Sequence, residues 1–340
     1  MSDHKIKPVA FGCSGTDLTE EERRLFAEGQ PFGLILFQRN CLSPEQVKKL
    51  IADFRKTVGR FDAPVFIDQE GGRVARLKPP RWPALPALRA VGELYEKNPA
   101  RGLDAVRLHA QITAHELYSL GISVNFAPVL DLFIEGASSA IGDRAISNNP
   151  DVVANVARAM IETYMNNGIL PVIKHMPGHG RVKVDPHEVL PFVDEAYATL
   201  SSQDFEPFRK LRDAPLGMNC HVVFKALDPV NPVSLSQRVN NEIIRKALDF
   251  DGLLFSDDIA MKALEGNRGE LAAKALAAGA DVVVHCSGDI NEMRQILAAL
   301  PEISPIASKR WKSALSRLKP PKPGYYPESD LRRLRAMFNG

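Results

Sequence analysis

Eight short apolar runs, separated by helical patterns, constrain the fold of this chain more than any other feature. They are PVAFGCS (8–14), FGLILFQ (32–38), PVFIDQE (64–70), SVNFAPVLD (123–131), LPVIKHM (170–176), LGMNCHVV (216–223), GLLFSDD (252–258) and DVVVHCS (281–287). Most are continuous runs of Val, Ile, Leu and Phe, without the alternation of a sheet that has one wet face. Both faces of each strand are therefore expected to be covered. Between them, TDLTEEERRLFAEG opens with a Thr cap, carries Glu three residues on and stops at a glycine. In SPEQVKKLIADFRKTVG, Ser43 caps, Pro44 takes the first turn, Val47, Leu50, Ile51 and Phe54 share one face, and Gly59 ends the helix. Residues 101–120, 151–167, 201–212, 238–249, 268–278 and 289–300 continue the alternation.

Eight strand–helix units fit one (β/α)8 TIM barrel of ordinary length. An open doubly wound sheet is the rival, but no G-x-G-x-x-G follows the first run, and charged strand ends are spread along the whole chain. With 45% hydrophobic residues in 340, a single domain spanning 1–340 can bury one large core. The Pro-rich stretch 77–92 cannot be regular throughout and reads as a barrel loop packed by Trp82. The tail, 319–340, reads as an extended wrap over the barrel ending in a short helix. A formal charge of +2 with interspersed signs gives no reason to expect nucleic acid or an anionic membrane as partner. No run approaches the roughly 18–20 apolar residues that cross a bilayer, and the start lacks the apolar region of a signal peptide. The four cysteines show no C-x-x-C spacing, and three lie in or beside apolar strands. A reduced, cytoplasmic, monomeric protein is expected.

The polar residues cluster where strands end. LPVIKHMPGHGRVKVDPHEVLP (170–191) delivers Lys174 and His175 from a β-branched run, then a Gly/Pro-broken loop, then Asp185 and His187 two residues apart. Asp68 and Glu70, Asp131, and Asp257 with Asp258 close other strands, and in a barrel all point to one mouth. Arg73, Arg76, Arg144 and Lys174 supply donors suited to sugar hydroxyls, carboxylates or phosphates. Two reaction classes fit these residues. A metal-dependent hydrolase could take His175, His179 and His187 as ligands, although Pro177 and Gly178 prevent the helix that would place the first two on one face. Glycosyl transfer to water needs a carboxylate nucleophile, for which Asp257 is suited, and a proton donor. His187 is the candidate donor, with Asp185 placed to bond its imidazole and fix the tautomer.

These stretches resemble family 3 of the glycoside hydrolases, and within it the single-domain bacterial β-N-acetylhexosaminidases of cell-wall recycling. The matching segments are GLILFQRN (33–40), FIDQEGGRVARL (66–77), NFAPVLDL (125–132), IGDRAI (141–146), IKHMPGHG (173–180) with D-P-H (185–187), and GLLFSDDIAM (252–261). The D-x-H element separates the hexosaminidases from the family's β-glucosidases and β-xylosidases, which remain the alternative, as does a sugar-binding relative without activity. The resemblance implies Asp257 as nucleophile, His187 as acid/base and Asp185 as its partner. It implies Asp68, Arg76, Arg144, Lys174 and His175 as the sugar-binding set, with Asp258 structural. The implied substrate is terminal β-linked N-acetylglucosamine on an anhydro-muropeptide, with no cofactor or metal. Two positions depart from the family pattern. Met176 stands where Phe is usual, and Pro186 where Ser is usual, which is expected to stiffen the loop.

Overall fold

A computed structural model describes residues 5–183, 190–321 and 327–338. Among these residues the eight apolar runs form the parallel strands of one closed barrel. The strands are Lys7–Gly12, Pro31–Leu36, Val65–Ile67, Val124–Asn125, Leu170–Met176, Leu216–Asn219, Leu253–Asp258 and Val282–His285. Each pairs with its sequence neighbours, and the eighth closes on the first through Val9–Val283 and Ala10–Val284. Closure leaves no strand edge unpaired, and the helices cover the outside, which is why the runs are apolar on both faces.

Strand alternation divides the core in two. Ala10, Ile35, Phe66, Phe126, Val172, Met218, Phe255 and Val284 belong to one buried cluster. Their neighbours Val9, Phe11, Leu34, Leu36, Val65, Ile67, Ile173 and Val283 belong to a second, shared with the helices. Phe66 stacks on Phe126 with centroids 5.5 Å apart, and Phe255 meets both edge-on at 5.4 and 5.7 Å. Burial of each such ring is worth roughly 1.5–3 kcal/mol. The helix Pro305–Ser316, absent from the sequence reading, brings Trp311 edge-on to Phe32 at 5.0 Å. Its start, Ser304 capping with Pro305 in the first turn, repeats the Ser43–Pro44 signature.

Most expected helices form, with informative differences. Thr19 and Glu22 make a reciprocal capping box at the head of Glu20–Gly29, but the left-handed residue that ends the helix is Gln30 (φ 47°), not the glycine. The expected 201–212 helix is broken into Tyr197–Ser202 and Glu206–Lys210. The 77–92 loop is overtaken at its end by the helix Leu88–Lys97, while Trp82 is buried as expected. The run 216–223 is not one strand. It leaves the barrel after Asn219, and Val223–Phe224 pairs with Phe192–Val193 in a separate two-stranded sheet. Likewise only Val124–Asn125 of 123–131 lies in the ladder, with Val129 bridging to Lys174. In the tail, Pro327–Phe338 is a helix that buries Leu334 and packs on Pro99–Leu120, where Arg101 Nη2 donates to the Met337 carbonyl at 2.9 Å. Among the described residues, no helix is long and apolar enough to cross a membrane.

Candidate active site

The C-terminal ends of the strands surround a cleft of about 360 Å³. Its floor holds a network of opposite charges. Lys174, at the end of the fifth strand, is buried, and its Nζ donates to Asp68 Oδ1 at 2.8 Å and lies 2.6 Å from Glu70 Oε1. Arg144 grips Glu70 with both Nε and Nη2, at 2.8 and 2.9 Å. Arg76 Nη2 donates to Asp68 Oδ2 at 3.2 Å. A buried ion is tolerated only when paired and hydrogen-bonded, and here two carboxylates hold three cations. Burial opposes ionisation of Asp68 and Glu70, but the Lys174, Arg76 and Arg144 charges outweigh it and hold both carboxyls below their ordinary range. Glu70 spends its oxygens on cations, whereas Asp68, Arg76, Arg144 and Lys174 line the cleft.

A second group surrounds His175. The buried carboxylate of Asp131 accepts from the His175 and His179 backbone N–H groups through Oδ1, at 3.2 and 2.7 Å. Its Oδ2 lies 2.6 Å from His175 Nδ1. A carboxylate is an acceptor, so Nδ1 carries a proton, while Nε2 lies 3.5 Å from Arg144 Nη2. Burial and the nearby His175 push the His179 imidazole down to about 4, so it is neutral. The close turn that brings His179 here needs Gly180, because a Cβ at that position would sit 2.1 Å from the Leu132 carbonyl oxygen.

Asp257 and Asp258 end the seventh strand and line the same cleft. Asp257 Oδ1 accepts from the Asp258 N–H at 2.8 Å. Burial opposes ionisation of Asp257, and the facing imidazoles of His221 and His175 together with that N–H overcome it, leaving the carboxyl below its ordinary range. Asp258 differs. Its Oδ1 accepts from the Ala260 and Cys286 N–H groups at 2.9 and 3.0 Å, yet burial, with the adjacent Asp257 charge, raises its carboxyl to about 6. One carboxylate of the pair is thus kept ionised and the other is anchored to backbone.

Of the residues expected from sequence, Asp68, Arg76, Arg144, Lys174, His175 and Asp257 all come together on this cleft, as do Arg73 and His179. Asp185 and His187 lie outside the described residues. Three roles were not read from the sequence. Glu70 and Asp131 stand out there as strand-end acids, but that the first clamps Arg144 and Lys174 and the second orients His175 emerges only in the fold. His221 lies hidden in sequence inside the apolar run 216–223; its position just after a strand end is the signal that marks it. Among the described residues, no group of three His, Cys, Asp or Glu side chains could hold a metal ion.

Comparison with known proteins agrees with this arrangement. The model of the glycosyl hydrolase family 3 N-terminal domain matches residues 3–319. A β-hexosaminidase of Nitrosomonas eutropha is 36% identical over 302 residues, covering 87% of this chain and 84% of that one. The structure of NagZ from Neisseria gonorrhoeae in complex with N-trifluoroacetyl-D-glucosamine superposes with a TM-score of 0.85 at 29% identity, covering 98% and 96% of the two chains. A family 3 β-N-acetylglucosaminidase from Paenibacillus gives a TM-score of 0.80 at 29% identity, with 98% of this chain matched to 61% of a longer one. The chain therefore belongs to glycosyl hydrolase family 3 and is a glycoside hydrolase.

Proposed function

We propose that this hydrolase is a retaining exo-β-N-acetylglucosaminidase that removes terminal β-linked N-acetylglucosamine from peptidoglycan fragments, the anhydro-muropeptides. The observation that carries the reading is the Asp257 carboxylate, ionised at a rigid strand end and facing across one small cleft the paired charges of Asp68, Lys174, Arg76 and Arg144. The cleft is at the small end of the roughly 300–1,000 Å³ typical of ligand pockets, which suits one sugar unit and hence release from a chain end.

In the proposed reaction Asp257 attacks the anomeric carbon. The bond to the leaving oxygen breaks as His187 gives that oxygen its proton, and a glycosyl ester on Asp257 results. Water then attacks the same carbon while His187 takes its proton, the ester opens, and the product keeps the β configuration. Asp185 orients the His187 imidazole. Asp68 accepts from sugar hydroxyls, while Lys174, Arg76, Arg144 and His175 complete the grip. The names of the similar β-hexosaminidases favour the 2-acetamido sugar. No cofactor or metal enters, and the enzyme acts as a cytoplasmic monomer through one catalytic barrel domain.

Proton NMR of the first-formed product from an aryl β-N-acetylglucosaminide tests the stereochemistry, with β-N-acetylglucosamine expected. An α first product would exclude a nucleophile on the ring's far face and end the retaining reading.

A further inference from the structure

We propose that His221 is a positioning residue for the nucleophile, acting through the carbonyl of Asp258; the inference rests on the reading of Asp257 given above. His221 follows the sixth strand and is 1% exposed. Its Nε2 lies 2.9 Å from the Asp258 carbonyl oxygen, and its Nδ1 lies 2.6 Å from Ser234 Oγ. A carbonyl can only accept, so Nε2 carries the proton, and Nδ1 is bare and accepts from the Ser234 hydroxyl. Burial pushes the imidazole below its ordinary pKa, against the pull of Asp257 and the Asp258 carbonyl. Ser234 is itself buried and tied to the same segment, its N–H donating to the Cys220 carbonyl at 3.0 Å.

The consequence falls on Asp257. Asp258 is held by four donors. His221 and the Met261 N–H take its carbonyl, and the Ala260 and Cys286 N–H groups take its carboxylate. Its own N–H donates to Asp257 Oδ1 at 2.8 Å. The direction of that N–H decides where the nucleophilic carboxylate points. The carbonyl also accepts from the Met261 N–H at 3.0 Å, so removal of the imidazole N–H takes away one of its two donors, a loss of about 0.5–1.5 kcal/mol, and loosens Asp258 on that side. That carbonyl and the Asp258 N–H lie in successive peptide planes joined at the Asp258 Cα, so a shift of this Cα displaces the donor on which Asp257 depends. Displacements near 1 Å at a reacting group cost about 100-fold in rate.

The test follows two rates in the full-length enzyme. One is inactivation by a slow fluorinated N-acetylglucosaminyl fluoride, and the other is turnover of aryl N-acetylglucosaminides with good and poor leaving groups. His221→Leu is expected to lower both about 10- to 100-fold, by the same factor for every leaving group. The Kd for N-acetylglucosamine should stay within about twofold, because the sugar-binding side chains are untouched. His221→Gln, whose amide N–H can reach the same carbonyl, should recover to within about fivefold of the native rate. If His221→Leu fails to fold, Ser234→Ala serves, with a fall of about 3- to 10-fold in the same pattern. Unchanged rates, equal damage from Leu and Gln, or a loss confined to binding would each overturn the inference. A purely structural stitch would give those outcomes. An adduct located away from Asp257 in the native enzyme would instead overturn the nucleophile reading itself.

Discussion

His175 has its proton placed before any substrate arrives, because Asp131 is buried and its Oδ2 sits 2.6 Å from Nδ1. Asp131→Asn would set an amide against that N–H and drive the imidazole to the other tautomer. A fall in kcat/KM of about 100-fold is expected, and kinetics equal to the native enzyme would contradict this role for Asp131. For the acid, His187→Ala should slow the glycosylation step most with poor leaving groups, since an activated phenol departs with little proton donation. Equal losses across leaving groups would argue against His187. Asp257, Lys174 and His175 were legible from sequence because strand ends of a barrel share one mouth. The jobs of Glu70 and Asp131 were not, since each depends on a partner 44 to 104 residues away that only closure of the barrel supplies, as the Glu70–Lys174 and Asp131–His175 pairs show.

The two ends that bring the cleft together have separate sensitivities. At the fifth strand, Gly180→Ala would push a methyl group into the Leu132 carbonyl. Overpacking of this kind costs about 1–3 kcal/mol, so a lower midpoint in urea is expected together with lost activity. A native midpoint would sink the close-approach argument. At the seventh strand, the Asp258 carboxyl lies at about 6 in the folded protein against an ordinary 3.8. The native state therefore holds that proton more tightly, and its stabilising contribution, present at low pH, is lost as pH rises through the interval between those values. Asp258→Asn keeps an acceptor for the Ala260 and Cys286 N–H groups and removes the charge. Relative to the native enzyme it should gain on the order of 1–3 kcal/mol between pH 4.5 and 8. A difference that stays flat with pH, by urea unfolding at the two values, would contradict it. The eight barrel strands were readable because continuous apolar runs mark strands buried on both faces. The Phe192–Val193 and Val223–Phe224 pair was not, because two-residue strands carry no periodicity.

Across the whole molecule, the barrel supplies rigid strand ends, and the cleft they form is charged at one wall and lined by Phe37, Phe126 and Met261 elsewhere. Fold alone would leave the chemistry open; the site narrows it. A 2-acetamido sugar should be favoured over glucose, and discrimination can reach roughly 10⁴-fold where polar groups are left unpaired. The ratio of kcat/KM for the aryl N-acetylglucosaminide and the matching aryl glucoside measures it, and a ratio near one would favour a β-glucosidase. Hydrolysis should also survive a strong chelator; loss restored by zinc would revive the metal reading. The central claim is that the sugar is held for a moment on Asp257. Mass spectrometry of peptides from the enzyme treated with a slow fluorinated N-acetylglucosaminyl fluoride addresses it directly. A single glycosyl adduct on Asp257, absent from Asp257→Ala, is the expected result, whereas turnover with no adduct, or an adduct on another carboxylate, would contradict it.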